Sequence, residues 1–340
     1  MIGGEGRMKK IGAVFSVIAA VALIAFIAWD AVFNESASKS FFAMDTVISA
    51  QITGRNAEDI LSETEKCVSE LDSSLSRHDP DSEISLLNRN SGGMLSDRLG
   101  GYFRILLDVS KKSGGAFDFT LGAVSDLWSF GNSPKLPDEA ELKKALSESG
   151  YEKASLSGNN LVIGGGVIDF GAVGKGIALD EIRDILEKNN IREAVISVGG
   201  SVLLYGNKTA KVGIRSPFGD SGSSIATLSL SDVCISTSGS YERKFEENGK
   251  AYHHIINPET GYPVENGLVS VTVISDSGIL SDALSTACFV LGKEKGIALA
   301  EEYGCDAVFI DENKNITVTE GIHGLVEVTD SSYSLVAYEK

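Results

Sequence analysis

Several short stretches of the chain hold residue types at spacings that could do chemistry. The first is Asp169-Phe170-Gly171-Ala172-Val173-Gly174-Lys175-Gly176, where a predicted strand runs into a predicted helix. Glycines there let backbone N–H groups approach phosphate oxygens, a helix N-terminus favours anions, and Lys175 adds positive charge. It is not a Walker A loop: Asp169 stands five residues before Gly174 where that motif has glycine, and Gly176 replaces its metal-binding hydroxyl residue. A plain tight turn fits the same residues. The second is Ser281-Asp282-Ala283-Leu284-Ser285-Thr286. Asp282 and Thr286 are four apart on a predicted helix and share a face. A carboxylate and a hydroxyl are hard oxygen ligands, suited to Mg²⁺ or Ca²⁺ rather than zinc. Taken alone, Asp282 reads first as a helix cap. The third is His253-His254-Ile255-Ile256-Asn257-Pro258-Glu259-Thr260-Gly261, a strand entering a turn. Neighbours on a strand point to opposite faces, so at most one of the two histidines faces a given site. Histidine suits removal of a hydroxyl proton near neutral pH, although a strand-edge histidine with no duty fits as well. Ser113 to Gly122 places glycines before Phe117 and Asp118, and doubles as a helix C-cap. Ser197-Val198-Gly199-Gly200-Ser201 offers close approach to a ligand or a β-bulge.

These stretches need elements to position them. Alternation over 43–53 predicts a strand, and helical spacing predicts helices over 56–75, 99–112 and 138–149, the last capped by Asp138. Strands over 154–156 and 161–163 flank a Ser-Gly-Asn-Asn turn and form a predicted hairpin. A helix over 175–188 follows the glycine-rich turn. Strands are predicted near 194–198, 201–205, 210–214, 226–230, 234–237 and 269–274, then helices over 281–291 and 293–303, then short strands. No repeat of fixed period and no low-complexity segment is visible. Strand-rich stretches broken by helices predict α+β rather than a doubly wound sheet.

The chain has 340 residues, 43% of them hydrophobic, and a formal net charge of −17. Such an acidic surface repels polyphosphate backbones and argues against a nucleic-acid partner. An anionic ligand would instead need a cation between it and the carboxylates. Cys67, Cys234, Cys288 and Cys305 contain no C-x-x-C pair, which argues against a zinc or Fe–S framework and for buried thiols. Residues 11–33 form an almost unbroken apolar run, its one charge at Asp30, long enough to span a bilayer, and Arg7, Lys9 and Lys10 precede them. The positive-inside rule then predicts residues 1–10 in the cytoplasm, a single-pass anchor or signal over 11–33, a polar tether over 34–40 and an extracytoplasmic domain over 41–340. Without a clear cleavage site, the length favours an uncleaved anchor.

In order and spacing, seven blocks resemble the ApbE family, the FAD:protein FMN transferases. They are Phe42-Ala43-Met44-Asp45-Thr46; LDSSLSRHDPDSEISLLN from Leu71; GGAFDFTLGAVSDLW from Gly114; IDFGAVGKGIALD from Ile168; ISVGG from Ile196, followed by STSGSYER; HIINPETGYP; and DALSTA. The resemblance covers about residues 41–296. It implies an ApbE-like, T-fold-related fold of mixed, largely antiparallel sheets with packed helices. It implies that Asp169 and Lys175 contact FAD, and that the Ala172 carbonyl, Asp282 and Thr286 bind Mg²⁺. Met44, Ala116, Phe117, Asp118 and Ile256 are implied to line the flavin nucleotide site. His254 matches the motif histidine and His253 does not. His78 stands where the family commonly has Tyr or Trp, and offers a ring less area for stacking. Asn257 stands where Asp is common.

The implied reaction is phosphoryl transfer: FMN moves from FAD to a Ser or Thr hydroxyl of an exported or membrane redox protein, and AMP leaves. His254, or a metal-linked carboxylate, would accept the hydroxyl proton. Two other readings share these residues. One is an FAD pyrophosphatase, with water in place of the acceptor. The other is a non-enzymatic surface flavin-binding protein, against which the metal pair argues.

Overall fold

A computed structural model describes residues 35–337 apart from 132, 220 and 221. Its centre is a nine-stranded sheet. In spatial order the strands are Ser36–Ala43, Thr46–Thr53, Glu193–Val198, Ser201–Tyr205, Val233–Gly239, Leu268–Ser275, Asp306–Asp311, Asn315–Val318 and Ser334–Val336. Spatial order follows chain order throughout. Neighbours pair antiparallel except the last two, which are parallel. The α+β class with a largely antiparallel sheet is as expected.

Period-two alternation divides the apolar residues between the two faces. Leu203, Cys234, Val273, Ala307 and Phe309 join the main core, under the helices Ala57–Leu75, Gly174–Lys188 and Gly278–Leu291. Their chain neighbours Leu204, Ile235, Ile274, Val308 and Ile310 point the other way. They are covered by a three-stranded sheet of Ala210–Arg215, Ser224–Leu230 and Val326–Val328. A third cluster gathers Val124, Trp128, Leu142 and Ile256, and the Trp128 indole donates to the Gly261 carbonyl at 2.8 Å.

Several expectations change. The strand expected over 43–53 is broken at Met44 and Asp45, whose φ angles of 53° and 56° make a tight hairpin turn. The tether expected over 34–40 falls largely in the first strand of that hairpin, which pairs with Thr46–Thr53 over its full length. Its serines read as linker in the sequence because they face outward beside other hydroxyls: Ser36 bonds Thr53, and Ser40 bonds Ser49. Helices Glu83–Asn90 and Gly122–Trp128, and the turns of strand over the tail, complete the fold. The remaining expected helices form within one to three residues of their expected ends. The expected cytoplasmic segment and anchor over 1–33 lie outside the described residues. Among the described residues, no helix is long and apolar enough to cross a membrane.

Candidate functional site

Two helices that meet at glycines build the site. A Cβ on Gly176 would lie 2.8 Å from the Asp282 Cβ and would collide with the Gly278 carbonyl, so only glycine permits this approach. The Gly176 amide consequently donates to Asp282 Oδ2 at 2.8 Å. Ala172 precedes the N-cap Val173, so its carbonyl lies outside the helix's own ladder. Among the described residues, no backbone amide outside the helices takes up that carbonyl. Asp282 is buried at 4% exposure, and its Oδ1 accepts from the Ser201 hydroxyl at 3.3 Å. Burial pushes its carboxyl up, opposed by the charge of Lys175, the Gly176 amide and the Ser201 and Ser236 hydroxyls.

A row of hydroxyls on Val233–Gly239 supports the same helix. Ser236 pairs with Ser281 at 2.9 Å; Ser238 pairs with Ser285 at 2.8 Å and with Thr286 Oγ1 at 3.2 Å. Sequence reading assigned no individual duty to Ser201, Ser236 or Ser238. They lie in the Ser197–Ser201 stretch and the STSGSYER block, and strand alternation beside a helix bearing serines was the further signal for their duty.

His254 lies within electrostatic reach of Lys175. Burial pushes its imidazole down to about 4, helped by the charges of Arg243, His253 and Lys175. Lys175 thus acts on both Asp282 and His254, which brings the first three sequence stretches into one neighbourhood. The His254 Nδ1 is buried and has no hydrogen-bond partner among the described residues. His253 points elsewhere, as strand alternation requires: its Nε2 bonds the Val264 carbonyl at 2.9 Å and its ring meets Phe289 edge-on.

The other expected residues divide. The Asp169 Oδ1 accepts from the Gly171 amide at 2.8 Å, and Oδ2 pairs with Arg77 Nε at 3.1 Å. Arg77 also grips Asp126 at 2.7 Å, so it fixes Asp169 from behind; sequence reading passed over it. Met44, on the hairpin turn, donates its amide to Asp72 at 2.9 Å, and its methyl lies beside Gly174 at the helix start. Asp118 spends both oxygens on the chain itself. Oδ1 takes the Thr120 amide at 2.8 Å and its hydroxyl at 2.7 Å, while Oδ2 takes the Tyr151 amide at 3.1 Å. Phe117 is 2% exposed, its ring in the core, so only its backbone and half-buried Ala116 can face a ligand. Ile256 packs with Trp128 and pairs with Pro263. His78 is exposed and holds only a turn contact through its amide.

The residues present fit a hard divalent cation. The Ala172 carbonyl precedes the helix's first paired carbonyl, and Asp282 brings a buried carboxylate with no arginine or lysine ion pair among the described residues. Thr286 brings a hydroxyl whose one described partner is another hydroxyl. All are oxygen donors, the kind Mg²⁺ takes and zinc does not favour. Among the described residues no group of three His, Cys, Asp or Glu could hold a metal ion, so a cation here would depend on the carbonyl and the hydroxyl beside the single carboxylate.

A glycine-lined helix start, a buried carboxylate and a buried histidine on this mixed α+β fold are the features to compare with known proteins. Residues 44–309 match the model of the ApbE family, and the chain belongs to that family. It is 35% identical over 287 residues to the FAD:protein FMN transferase of Treponema pallidum (strain Nichols), covering 77% of this chain and 79% of that one. Against the FAD:protein FMN transferase of Klebsiella pneumoniae (strain 342) the identity is 34%, over 65% of this chain and 71% of the relative. The crystal structure of the ApbE protein of Thermotoga maritima superposes with a TM-score of 0.78 at 28% identity, over 86% of this chain and 99% of that one. The apo Pseudomonas stutzeri flavinyl transferase ApbE gives 0.76 at 28%, over 86% and 96%.

Proposed function

We propose that this chain, an enzyme of the FAD:protein FMN transferase class, moves the FMN half of FAD onto a Ser or Thr hydroxyl of an acceptor protein and releases AMP. The observation that supports it most is the convergence of Asp282, Lys175 and His254 on a helix start whose preceding carbonyl, Ala172, is free of helical pairing. The glycine-rich start of Gly174–Lys188 binds phosphate oxygens through its amides, and Lys175 adds a charge. The hydroxyl oxygen of the acceptor bonds to the FMN-side phosphorus while the bridging P–O bond breaks toward AMP. His254, neutral because burial holds its proton affinity down, accepts the hydroxyl proton at Nδ1, the ring nitrogen left without a partner. Mg²⁺ held by Asp282, Thr286 and the Ala172 carbonyl would offset charge on the pyrophosphate. Asp169, steadied by Arg77, and Met44 line the same helix start and orient the dinucleotide.

Residues 11–33 anchor the chain in the cell membrane with the catalytic domain outside, facing exported or membrane redox proteins as acceptors. Nucleic acid is no partner for a surface of net charge −17.

The test mixes the full chain with FAD, Mg²⁺ and the flavin-accepting domain of an exported redox protein, and resolves the products on a denaturing gel. Flavin fluorescence on the acceptor, absent with chelator and in Asp282→Ala and His254→Ala, is the expected result. AMP release with an unlabelled acceptor would make the chain an FAD pyrophosphatase instead. Flavin binding with no AMP under any condition would leave a binding protein.

A further inference from the structure

The helix carrying Asp282 and Thr286 begins at Gly278, about one turn before Asp282. A helix start leaves four N–H groups without partners in its own helix. Hydroxyls serve two of them: the Ser277 hydroxyl accepts from Leu280 at 3.4 Å, and the Ser277 amide donates to the Ser275 hydroxyl at 3.1 Å. The other two reach across to Asp180. The Gly278 amide donates to Asp180 Oδ1 at 2.5 Å, and the Ile279 amide donates to Oδ2 at 2.9 Å. The Ser277 hydroxyl adds a third bond to Oδ2 at 3.0 Å. A carboxylate there also complements the positive end of the helix dipole.

Asp180 lies four residues after Gly176, so the two share one face of Gly174–Lys188. That face grips the neighbouring helix twice. Gly176 holds Asp282 through its amide, and Asp180 holds the helix start. The glycines at 176 and 278 permit the backbone contact between these two grips.

We infer that Asp180 is a positioning residue for the cation site, setting cation affinity without touching the ion. The inference rests on the cation site proposed above. The oxygen donors come from two sides of the helix crossing: the Ala172 carbonyl precedes one helix, while Asp282 and Thr286 stand on the other. Mg²⁺ accepts oxygens only at about 2.1 Å in a strict geometry. A slide or rotation of one helix against the other therefore separates the donors before it unfolds anything. Asp180 fixes both motions, because its two oxygens hold consecutive amides. An amide at this position keeps the volume but loses the charge and turns one acceptor into a donor facing an N–H.

The test titrates Mn²⁺ alone, without FAD, into the full chain and reads free Mn²⁺ by electron paramagnetic resonance. Asp180→Asn is expected to bind Mn²⁺ about tenfold or more weakly. Ser277→Ala, which removes one of the three bonds and keeps the carboxylate, is expected to bind about threefold more weakly. In the transfer assay, raising Mg²⁺ restores kcat of Asp180→Asn to near the unsubstituted value. Wild-type affinity for Mn²⁺ in Asp180→Asn overturns the inference while leaving the proposed function standing. A loss of kcat that no Mg²⁺ concentration restores also overturns it, since Asp180 would then hold up the fold rather than the site. If Asp180→Asn does not fold, unchanged Mn²⁺ affinity in Ser277→Ala overturns it equally. An unsubstituted chain that binds no Mn²⁺ overturns the cation site itself.

Discussion

At His254, burial and three positive neighbours act in the same direction, and the imidazole is pushed from 6.5 down to about 4. The sign of the pH effect follows. Between those values the unfolded chain takes up a proton that the folded ring refuses, so acidification from pH 6.5 toward 4 costs stability. His254→Gln is expected to flatten that part of the stability–pH curve, measured by thermal melting at several pH values. A ring signal that titrates near 6.5 by NMR in the ligand-free protein would contradict this. His254→Ala is expected to slow FMN transfer by about a hundredfold or more while FAD still binds. Asp118 tests the opposite kind of role. Its carboxylate serves two backbone amides and a hydroxyl, so Asp118→Ala strands buried donors. The expected loss is about 2–3 kcal/mol of stability in denaturant unfolding, whatever it does to FAD affinity.

The crossing of Gly174–Lys188 and Gly278–Leu291 is the element on which the site depends. Gly278→Ala would push its Cβ to 2.9 Å from the Leu179 Cβ and into the Gly176 carbonyl. The helices must move apart, at about 1–3 kcal/mol, and Asp282 loses the Gly176 amide. Melting temperature and Mn²⁺ affinity should fall together; a variant with both unchanged would show that the close contact is dispensable. How much of this was legible in the sequence depended on range. Helix periodicity, the Asp138 cap and the Ser-Gly-Asn-Asn hairpin are local signals, and they gave the elements directly. Asp282 and Thr286 were visible as a pair because four residues on one helix is also a local relation. Their partners were not. Asp180 and Gly278 are far apart in sequence, as are Arg77 and Asp169, and nothing in spacing announces a bond between them. Resemblance located the blocks that hold Asp180 and Arg77 without giving either a duty. Phe117 is a different case: its ring fills the core, which leaves its backbone, and not its aromatic face, to meet a ligand.

For the molecule as a whole, the sheet follows the chain without backtracking and ends on the free edge of Ser36–Ala43. A version cut to begin at 41, where the sequence seemed to place the domain, would delete most of that strand. Thr46–Thr53 would then become the edge, with its backbone groups and Ile48 and Ile52 less protected. Removal of residues 1–40 is therefore expected to give aggregation or a lowered melting temperature, and removal of 1–34 is not; size-exclusion chromatography with thermal melting compares the two. Equal behaviour would show that the strand contributes nothing to the fold.

That same strand bears on where the enzyme can work. With an anchor ending at Phe33, only two residues separate lipid from a strand paired along its whole length. Two extended residues reach about 7 Å. Under the proposed anchoring such a domain would have no leash: it would stand against the bilayer at a height set by the sheet, with a thin layer above the membrane as its catchment. Acceptors in that layer would be modified and freely diffusing ones largely missed. A Gly/Ser insertion before Ser36 should widen the range of acceptors labelled in cells, and an unchanged range would refute this picture of reach.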